Sequence, residues 1–124
     1  MNQDSIFASE GLQKHLISVG IAAWRTARLC ARVISRLDAG EGPRYASQLR
    51  YLEKRAVEAL EEAGLTVVSV EGEVFDSGMA VSVVNVEDFG VEVELVVDQM
   101  VEPIIMGPDG LLHAGIVTVR RAHS

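Results

Sequence analysis

The chain has 124 residues, of which 48% are hydrophobic and 23% charged, a balance typical of folded globular proteins and unlike that of disordered chains. Its net charge of −7 is uneven, because residues 1–64 carry nine Lys/Arg and eight Asp/Glu, whereas residues 65–124 carry two and ten. No lysine or arginine lies between Arg55 and Arg120, so the second half lacks the charge that nucleic-acid binding needs, and we expect its partner to be basic or apolar.

A long helix is the first predicted element, over residues 12–37. Its apolar residues follow the alternating three- and four-residue spacing of coiled coils. This seam consists mostly of small side chains: Leu16, Gly20, Ala23, Ala27, Cys30, Ile34 and Leu37. A second apolar stripe makes the face broader than a two-stranded seam needs, so we predict a bundle of three or four helices. That stripe contains Ile17, Ile21 and Trp24, beside Val19 and Val33.

Two features of the predicted first helix, its cysteine and its uncharged run, indicate the compartment of the protein. Cys30 is the only cysteine, so an internal disulfide is excluded and a reducing cytoplasm is the predicted location. The uncharged run over residues 16–24 is about half as long as a membrane span requires. No basic cluster or cleavage site precedes this run, so we predict neither a signal peptide nor a membrane anchor.

A basic ridge is predicted on the first helix, because its arginines are three or four residues apart. The ridge contains Arg25, Arg28, Arg32 and Arg36. Charge runs of this kind are usually solvated surfaces, and the alternative is a docking ridge for an acidic partner. No aromatic residue is interleaved with these arginines, which further disfavours nucleic acid as the partner.

A loop over residues 38–43 contains two glycines and a proline, so it ends the first helix. A second helix is predicted from about Pro43 to Ala63, antiparallel to the first, with Gly64 as its left-handed C-terminal residue. One such hairpin cannot cover its own apolar face, so we predict a homodimer that buries a shared set of side chains. The predicted dimer-interface residues are Leu16, Ala23, Ala27, Ile34, Leu49 and Leu60.

The second half is rich in valine and is predicted to form five or six short strands. Residues 91–97 alternate between apolar and acidic, as in a half-buried antiparallel strand, and residues 88–90 are predicted as the hairpin turn before it. Residues 106–110, with Pro-Asp-Gly, predict a second turn, followed by a closing strand over residues 111–119. The predicted fold class is therefore α+β. It comprises a helical dimerisation region over residues 1–64, forming a dimeric coiled coil or four-helix bundle, and a small antiparallel β domain over residues 65–124.

Catalytic and metal-binding patterns are absent from the sequence. Cys30 lies in a helix seam, where cysteines behave as inert apolar side chains, and the histidines are scattered without a ligand spacing. Alternation explains Glu92 and Glu94 as a solvent face, and no glycine-rich phosphate loop follows any predicted strand. We therefore predict a protein that is not an enzyme and that uses no cofactor or metal.

Two phrases of the β half resemble the GrpE family, the nucleotide exchange factors of DnaK-type chaperones. The second helix ends at Gly64, residues 72–76 read G-E-V-F-D, and residues 112–119 read L-H-A-G-I-V-T-V. These are similar to the family's G-x-x-F-D-P and L-R-P-A-x-V-x-V phrases in the same order and at the same separation. The chain departs from the family where Ser77 replaces the proline, Ala80-Val81 replaces His-Glu and His113 replaces the arginine.

The resemblance implies a homodimeric co-chaperone with no covalent chemistry of its own. Such a protein binds the nucleotide-binding domain of a DnaK-type, or related actin-fold, ATPase through its β domain and promotes ADP release. The partner-binding residues that the two phrases imply are Phe75, Asp76, Met79, Gly110, Leu112 and His113. A dimeric structural or adaptor protein that keeps the scaffold without exchange activity is the alternative, because arginine and histidine are not equivalent at a contact.

Overall fold

A computed structural model of the chain describes residues 3–36, 40–90 and 93–122, with side chains described from residue 10 onward. Two compact units divide the chain, Met1–Gly64 and Leu65–Ser124. The first is helical and the second consists of strands. The predicted α+β class is confirmed, and the dimeric bundle stays a prediction.

Two helices form the first unit, α1 (Gln3–Ile34) and α2 (Gly42–Glu62). The helix α1 begins well before the predicted residue 12, whereas α2 begins and ends within one residue of its prediction. Leu37, the last residue of the predicted seam, and Asp38 and Ala39 of the predicted loop lie outside the described residues. The helices are antiparallel, because Gly20 in the middle of α1 lies next to Leu60 near the end of α2, and Ile34 at the end of α1 lies next to Gly42 at the start of α2.

Small residues allow the two helices to approach closely. A Cβ atom at Gly20 would come within 2.9 Å of Leu60 Cδ1, so the buried side chain of Leu60 occupies the space that a larger residue would need. Beside this contact, the Arg28 Nε atom donates a hydrogen bond of 2.6 Å to Glu53 Oε1. The Arg50 guanidinium, one turn before Glu53 on α2, donates a 3.1 Å hydrogen bond to Ser47 Oγ.

Gly64 ends the helical unit as predicted. Its φ angle is +87°, in the left-handed region that glycine enters without steric cost, and its N–H donates to the carbonyl of Glu61 at 3.0 Å. Ala63 precedes it as the cap, and the chain then enters the first strand within two residues. The change from helix to strand therefore occurs at the residue where the sequence period changes.

In the described residues of the second unit, six short strands form two three-stranded sheets. One sheet has the order β1-β4-β5 and the other the order β2-β6-β3, and all pairs are antiparallel except β2 with β6. The strands are β1 (Thr66–Val68), β2 (Val81–Val83), β3 (Leu95–Glu102), β4 (Ile104–Gly107), β5 (Gly110–His113) and β6 (Gly115–Arg121). The predicted antiparallel pairing is thus confirmed for three of the four strand pairs in the described residues, and the parallel pair of β2 with β6 was not predicted.

Three local predictions for the strands have different outcomes. The turn over residues 106–110 is confirmed, since Pro108 and Asp109 join β4 to β5. The hairpin at residues 88–90 is wrong, because Val86–Asp88 forms a 3₁₀ helix and β2 is separated from β3 by β6. The predicted strand over residues 91–97 is confirmed only for residues 95–97. Val91 and Glu92 lie outside the described residues, and the observed strand β3 begins only at Leu95 and continues to Glu102.

The predicted closing strand is split into two. Strand β5 ends at His113, and β6 begins at Gly115 in the other sheet, so Ala114 is the point where the chain changes sheets. Gly115 permits this change, because a Cβ atom there would lie 2.8 Å from Met100 Cε and 3.1 Å from the carbonyl oxygen of Glu102. Around it lies a closed apolar core of Val70, Val96, Val97, Met100, Ile104, Ile105, Val117 and Val119.

Candidate functional site

The segment that follows the first family-like phrase pairs with the second phrase in the β unit, whereas the first phrase itself pairs with β3. Val81 is paired with Gly115 in the parallel register of β2 and β6, and the Gly115 N–H donates a 2.9 Å hydrogen bond to the carbonyl of Ala80. Met79 directly precedes Ala80, and His113 is two residues before Gly115. This pairing joins segments more than 30 residues apart in the sequence, and it brings the backbones around Met79 and His113 together.

Strand β5 presents the largest exposed apolar side chains next to this junction. Leu111 and Leu112 are 49% and 47% exposed, and β5 is the outer strand of its sheet. Gly110 starts the strand with a φ angle of +132°, a conformation that side chains other than glycine rarely adopt. Gly110 therefore contributes to this surface through its backbone conformation, which allows β5 to follow the turn.

His113 is held by a buried carboxylate. Its Nε2 atom lies 2.8 Å from Oε1 of Glu102, a distance at which the ring donates a hydrogen bond to the carboxylate. The Glu102 side chain is only 8% exposed, whereas that of His113 is 29% exposed. One edge of the ring therefore satisfies a buried charge while part of the side chain remains accessible.

Asp76 and Phe75 have structural contacts of their own. The Asp76 Oδ1 atom accepts a 3.0 Å hydrogen bond from the N–H of Gly78, so Asp76 shapes the turn that leads to Met79. The Phe75 N–H donates to the carbonyl of Leu95 at 2.8 Å, at the opposite end of β6 from Gly115 in the strand register. Along that register, the structure therefore places Phe75 apart from the junction of Met79 with His113.

Phe75 instead lines a cavity of about 490 Å³ with residues that sequence analysis did not select. Phe89 is the second aromatic side chain of this wall, and Glu87 and Glu94 add carboxylates to it. The remaining lining residues are Val86, Gly90, Val93 and Leu95. A signal was available in the sequence, since Phe75 and Phe89 are the only aromatic residues in the second half of the chain.

Most of the predicted dimer-interface residues contact the partner helix of their own chain. Leu60 lies against Gly20, Ile34 lies beside Gly42, and Ala27 is 3% exposed. A cavity of about 220 Å³ between the helices is bordered by Ala27 and Leu49. Leu16 and Ala23 are half-buried. Leu60, Ile34, Ala27 and Leu49 thus lie in the seam within the hairpin, and the contact of the predicted set with a second chain stays a prediction.

A different apolar stripe on α1 is open to solvent in the single chain. Leu12, Val19 and Val33 are separated by multiples of seven residues, and Leu29 lies one turn before Val33 on the same side. These four side chains are between 57% and 71% exposed. Exposure of large apolar side chains in a row, rather than singly, is typical of an interaction face.

A matching stripe lies on α2, where Tyr45 and Leu52 are 41% and 38% exposed and Ala59 follows after seven more residues. Each residue advances about 100° around the axis of an α-helix. The α1 stripe therefore lies about a third of a turn around α1 from the residues that contact α2. The α2 stripe lies about a quarter of a turn around α2, in the same sense, from the residues that contact α1. Because the helices are antiparallel, both offsets point to the same side of the hairpin. The two stripes therefore form one broad apolar face, which we call the hairpin face.

The predicted basic ridge is only partly a solvated surface. Arg25, Arg32 and Arg36 are exposed, but Arg28 is engaged by Glu53 and its guanidinium lies 4.6 Å from the ring centre of Trp24. On α2, a hydrogen bond to Glu58 and the charge of that carboxylate raise the pKa of Arg55 above its ordinary value. These charged side chains of the hairpin thus either form ion pairs within it or are exposed to solvent.

No protein-family model matches the chain, and neither the curated proteins nor the solved structures contain a significant match to it. Within the residues that the structure describes, neither helix is long and apolar enough to cross a membrane. In the same described part of the chain, no three His, Cys, Asp or Glu residues are grouped so that they could hold a metal ion.

Proposed function

We propose that the protein is a GrpE-like co-chaperone that binds the nucleotide-binding domain of a DnaK-type or related actin-fold ATPase and promotes ADP release. One observation carries this proposal: the second phrase that resembles the family, residues 112–119, pairs through Gly115 with Ala80, which follows the first phrase by four residues and lies where the family has His-Glu. The order and the separation of the two phrases are together more specific than either phrase alone.

The mechanism needs no chemistry from the chain itself. A partner that binds the open, nucleotide-free conformation of an ATPase better than the closed one shifts the population toward the open state, and nucleotide leaves faster. Met79, Leu112 and His113 are the proposed contacts, with Leu111 as an additional apolar neighbour on β5. Exposed leucines supply apolar contact area, and the accessible part of the His113 ring supplies a polar contact.

The proposed active form is a homodimer in the cytoplasm. A second copy placed on the hairpin face would produce four helices around a common core, which is the arrangement that so broad an apolar face favours. Each copy would then carry one β unit with its own β5 surface. The interface would consist of the exposed stripes on α1 and α2 in addition to the seam residues predicted from the sequence.

The direct test is the release rate of a fluorescent ADP analogue from a DnaK-type chaperone of the same cell, measured against increasing protein. We expect a saturable acceleration by the parent. Leu112→Ala and Met79→Ala should weaken binding, since truncation of an interface anchor commonly costs on the order of 2 kcal/mol. Glu58→Ala, on α2, is the control and should leave affinity unchanged.

His113 needs a variant that separates docking from stability. His113→Ala would leave the buried Glu102 carboxylate without its ring partner, so loss of exchange by that variant alone is ambiguous. His113→Gln keeps an N–H donor for Glu102 but removes the imidazole. If His113→Gln is as stable as the parent yet accelerates release less, the ring contacts the ATPase. Parent-like release by His113→Gln, Leu112→Ala and Met79→Ala would exclude this surface.

A dimeric adaptor without exchange activity is the second candidate, and one observation favours it. The position where the family has an arginine holds His113, whose Nε2 atom is engaged by Glu102 within the chain. A ring used in this way offers a partner fewer donors than a guanidinium would. Binding of the parent to the ATPase with no change in nucleotide release would support the adaptor.

A further inference from the structure

The cavity at Phe75 and Phe89 is built unlike the closed core of the same unit. The β unit has only these two aromatic residues, and both are half-buried in the wall of the cavity rather than fully buried in the core. Its volume of about 490 Å³ is within the range of about 300–1,000 Å³ that ligand sites usually occupy. A cavity of this size beside two half-buried aromatic rings can hold an inserted side chain.

The charges beside the aromatic wall have one sign. Glu87 and Glu94 line the cavity, both are exposed, and Asp88 is exposed next to Glu87. Arg120 and Arg121 are the only lysine or arginine residues between residues 65 and 124, and Arg120 lies 3.4 Å from Asp98. The negative potential of the cavity rim is therefore balanced locally by at most one basic side chain, that of Arg121.

We propose that this cavity binds an arginine side chain presented by a partner protein. A guanidinium can stack its flat face on Phe75 or Phe89 while its apolar stem packs against Val93 and Leu95. Its N–H donors then reach the carboxylates of Glu87 and Glu94 at the rim. A lysine ammonium is compact and strongly hydrated, so it matches a stacked aromatic wall less well. None of these residues lies on the β5 surface, so the two proposals can be tested separately, with Phe75, which the family resemblance also implies as a contact, left unchanged.

Arg121 provides an internal check on the assignment. It is paired with Leu95 in the register of β6 with β3, and Leu95 lines the cavity. A positive charge near the rim repels an incoming guanidinium, so Arg121→Gln should strengthen binding of an arginine ligand by about two- to fivefold. Weaker binding by Arg121→Gln would contradict the proposed charge selection.

The probes are three short capped peptides that differ at one position, which holds arginine, lysine or uncharged citrulline. Each is titrated into the isotope-labelled full chain, and amide shifts are followed by NMR. We expect the arginine peptide to shift the signals of Val86, Phe89, Gly90 and Leu95 saturably, with a Kd on the order of 1 mM for so small a ligand. The citrulline peptide should bind about fivefold more weakly or worse, and the lysine peptide should lie between them.

Variants then test the two components of the site. Phe89→Ala should weaken the arginine peptide by about fivefold or more through loss of the stacking surface. The double variant Glu87→Gln with Glu94→Gln preserves shape and should lower both the affinity and its salt dependence. Glu73→Gln removes an exposed carboxylate that does not line the cavity, so it is the matched control and should bind as the parent does.

Each outcome of these titrations decides for or against the site. The proposal is overturned if the arginine peptide gives no saturable shifts, if citrulline or lysine binds equally well, or if the shifts occur on β5 instead. Unchanged binding by the double glutamine variant also overturns it, and this variant keeps the proposal testable should Phe89→Ala fail to fold. Exchange activity is not read in this experiment, so its failure and that of the co-chaperone proposal are distinguishable.

Discussion

The helical unit and the β unit differ in how completely they bury their apolar side chains. Among the described side chains, three of the buried hydrophobic residues belong to residues 1–64 and nine to residues 65–124. The helices instead expose Leu12, Val19, Leu29 and Val33 along one line. Two sheets can enclose a core within one short chain, whereas two antiparallel helices expose whatever lies outside their mutual contact. The β unit therefore encloses a core of its own, whereas the helical unit leaves open an apolar face that the proposed homodimer would cover.

The largest expected effect tests the closed core of the β unit. Ile105 is fully buried, so Ile105→Ala should lower the free energy of unfolding by about 2–5 kcal/mol through lost burial and the cavity left behind. Val84→Ala, at a position that is 54% exposed, is the control and should change it little. Chemical denaturation of the two variants measures both values. Equal small effects would show that this core is not closed.

A smaller effect is expected where β5 passes into β6. Gly115→Ala places a methyl group 2.8 Å from Met100 Cε and 3.1 Å from a backbone oxygen that cannot move aside easily. Overpacking of this kind typically costs about 1–3 kcal/mol. Gly90→Ala is the control, because its nearest neighbour, Val93 Cγ2, would be 4.0 Å away. A Gly115→Ala variant as stable as the parent would mean that the chain changes sheets by another path.

The smallest effects concern two glycines of opposite character in the helical unit. Gly64→Ala forces a side chain into a φ angle of +87° and should destabilise by about 1 kcal/mol. Gly11→Ala, inside α1 with open space around its Cβ position, should stabilise by about 0.5–1 kcal/mol. Thermal denaturation of the two variants should therefore give shifts of opposite sign. Shifts of the same sign would show that Gly64 is not the helix terminus.

Local signals in the sequence account for the parts of the fold that depend on neighbouring residues. The end of α2 at Gly64 and the turn at Pro108-Asp109 were predictable, because each rests on the conformational preferences of a few adjacent residues. The first helix was predicted too short at its N-terminus, since residues 3–9 carry weak capping signals. Gly20 and Ala27 were predicted to lie in a close-packed seam. The spacing of the apolar residues does not show whether this seam contacts the same chain or a second copy.

Local sequence signals did not predict the pairings between strands that are distant in the chain. The alternation of residues 91–97 predicted a strand that the structure begins only at Leu95, because β3 is defined by its pairing with β6 and by the bulges near Gln99 and Glu102. The parallel pairing of β2 with β6 has no local signature at all. For the candidate site, the resemblance brought Met79 and His113 into view. The resemblance did not indicate Glu102, which contacts His113 at the end of β5, or Phe89, which lines the same cavity as Phe75.

The central claim is that a second copy of the chain covers the hairpin face. The mass of the protein in solution tests this claim most directly. Sedimentation equilibrium at micromolar concentration should give twice the chain mass of 13.4 kDa. Leu29→Glu should restore a monomer while its β unit stays folded, because a charge would be buried in the interface. Arg36→Glu, an exposed change at the same end of α1, is the control and should remain dimeric. A parent chain that sediments as a monomer would contradict the account.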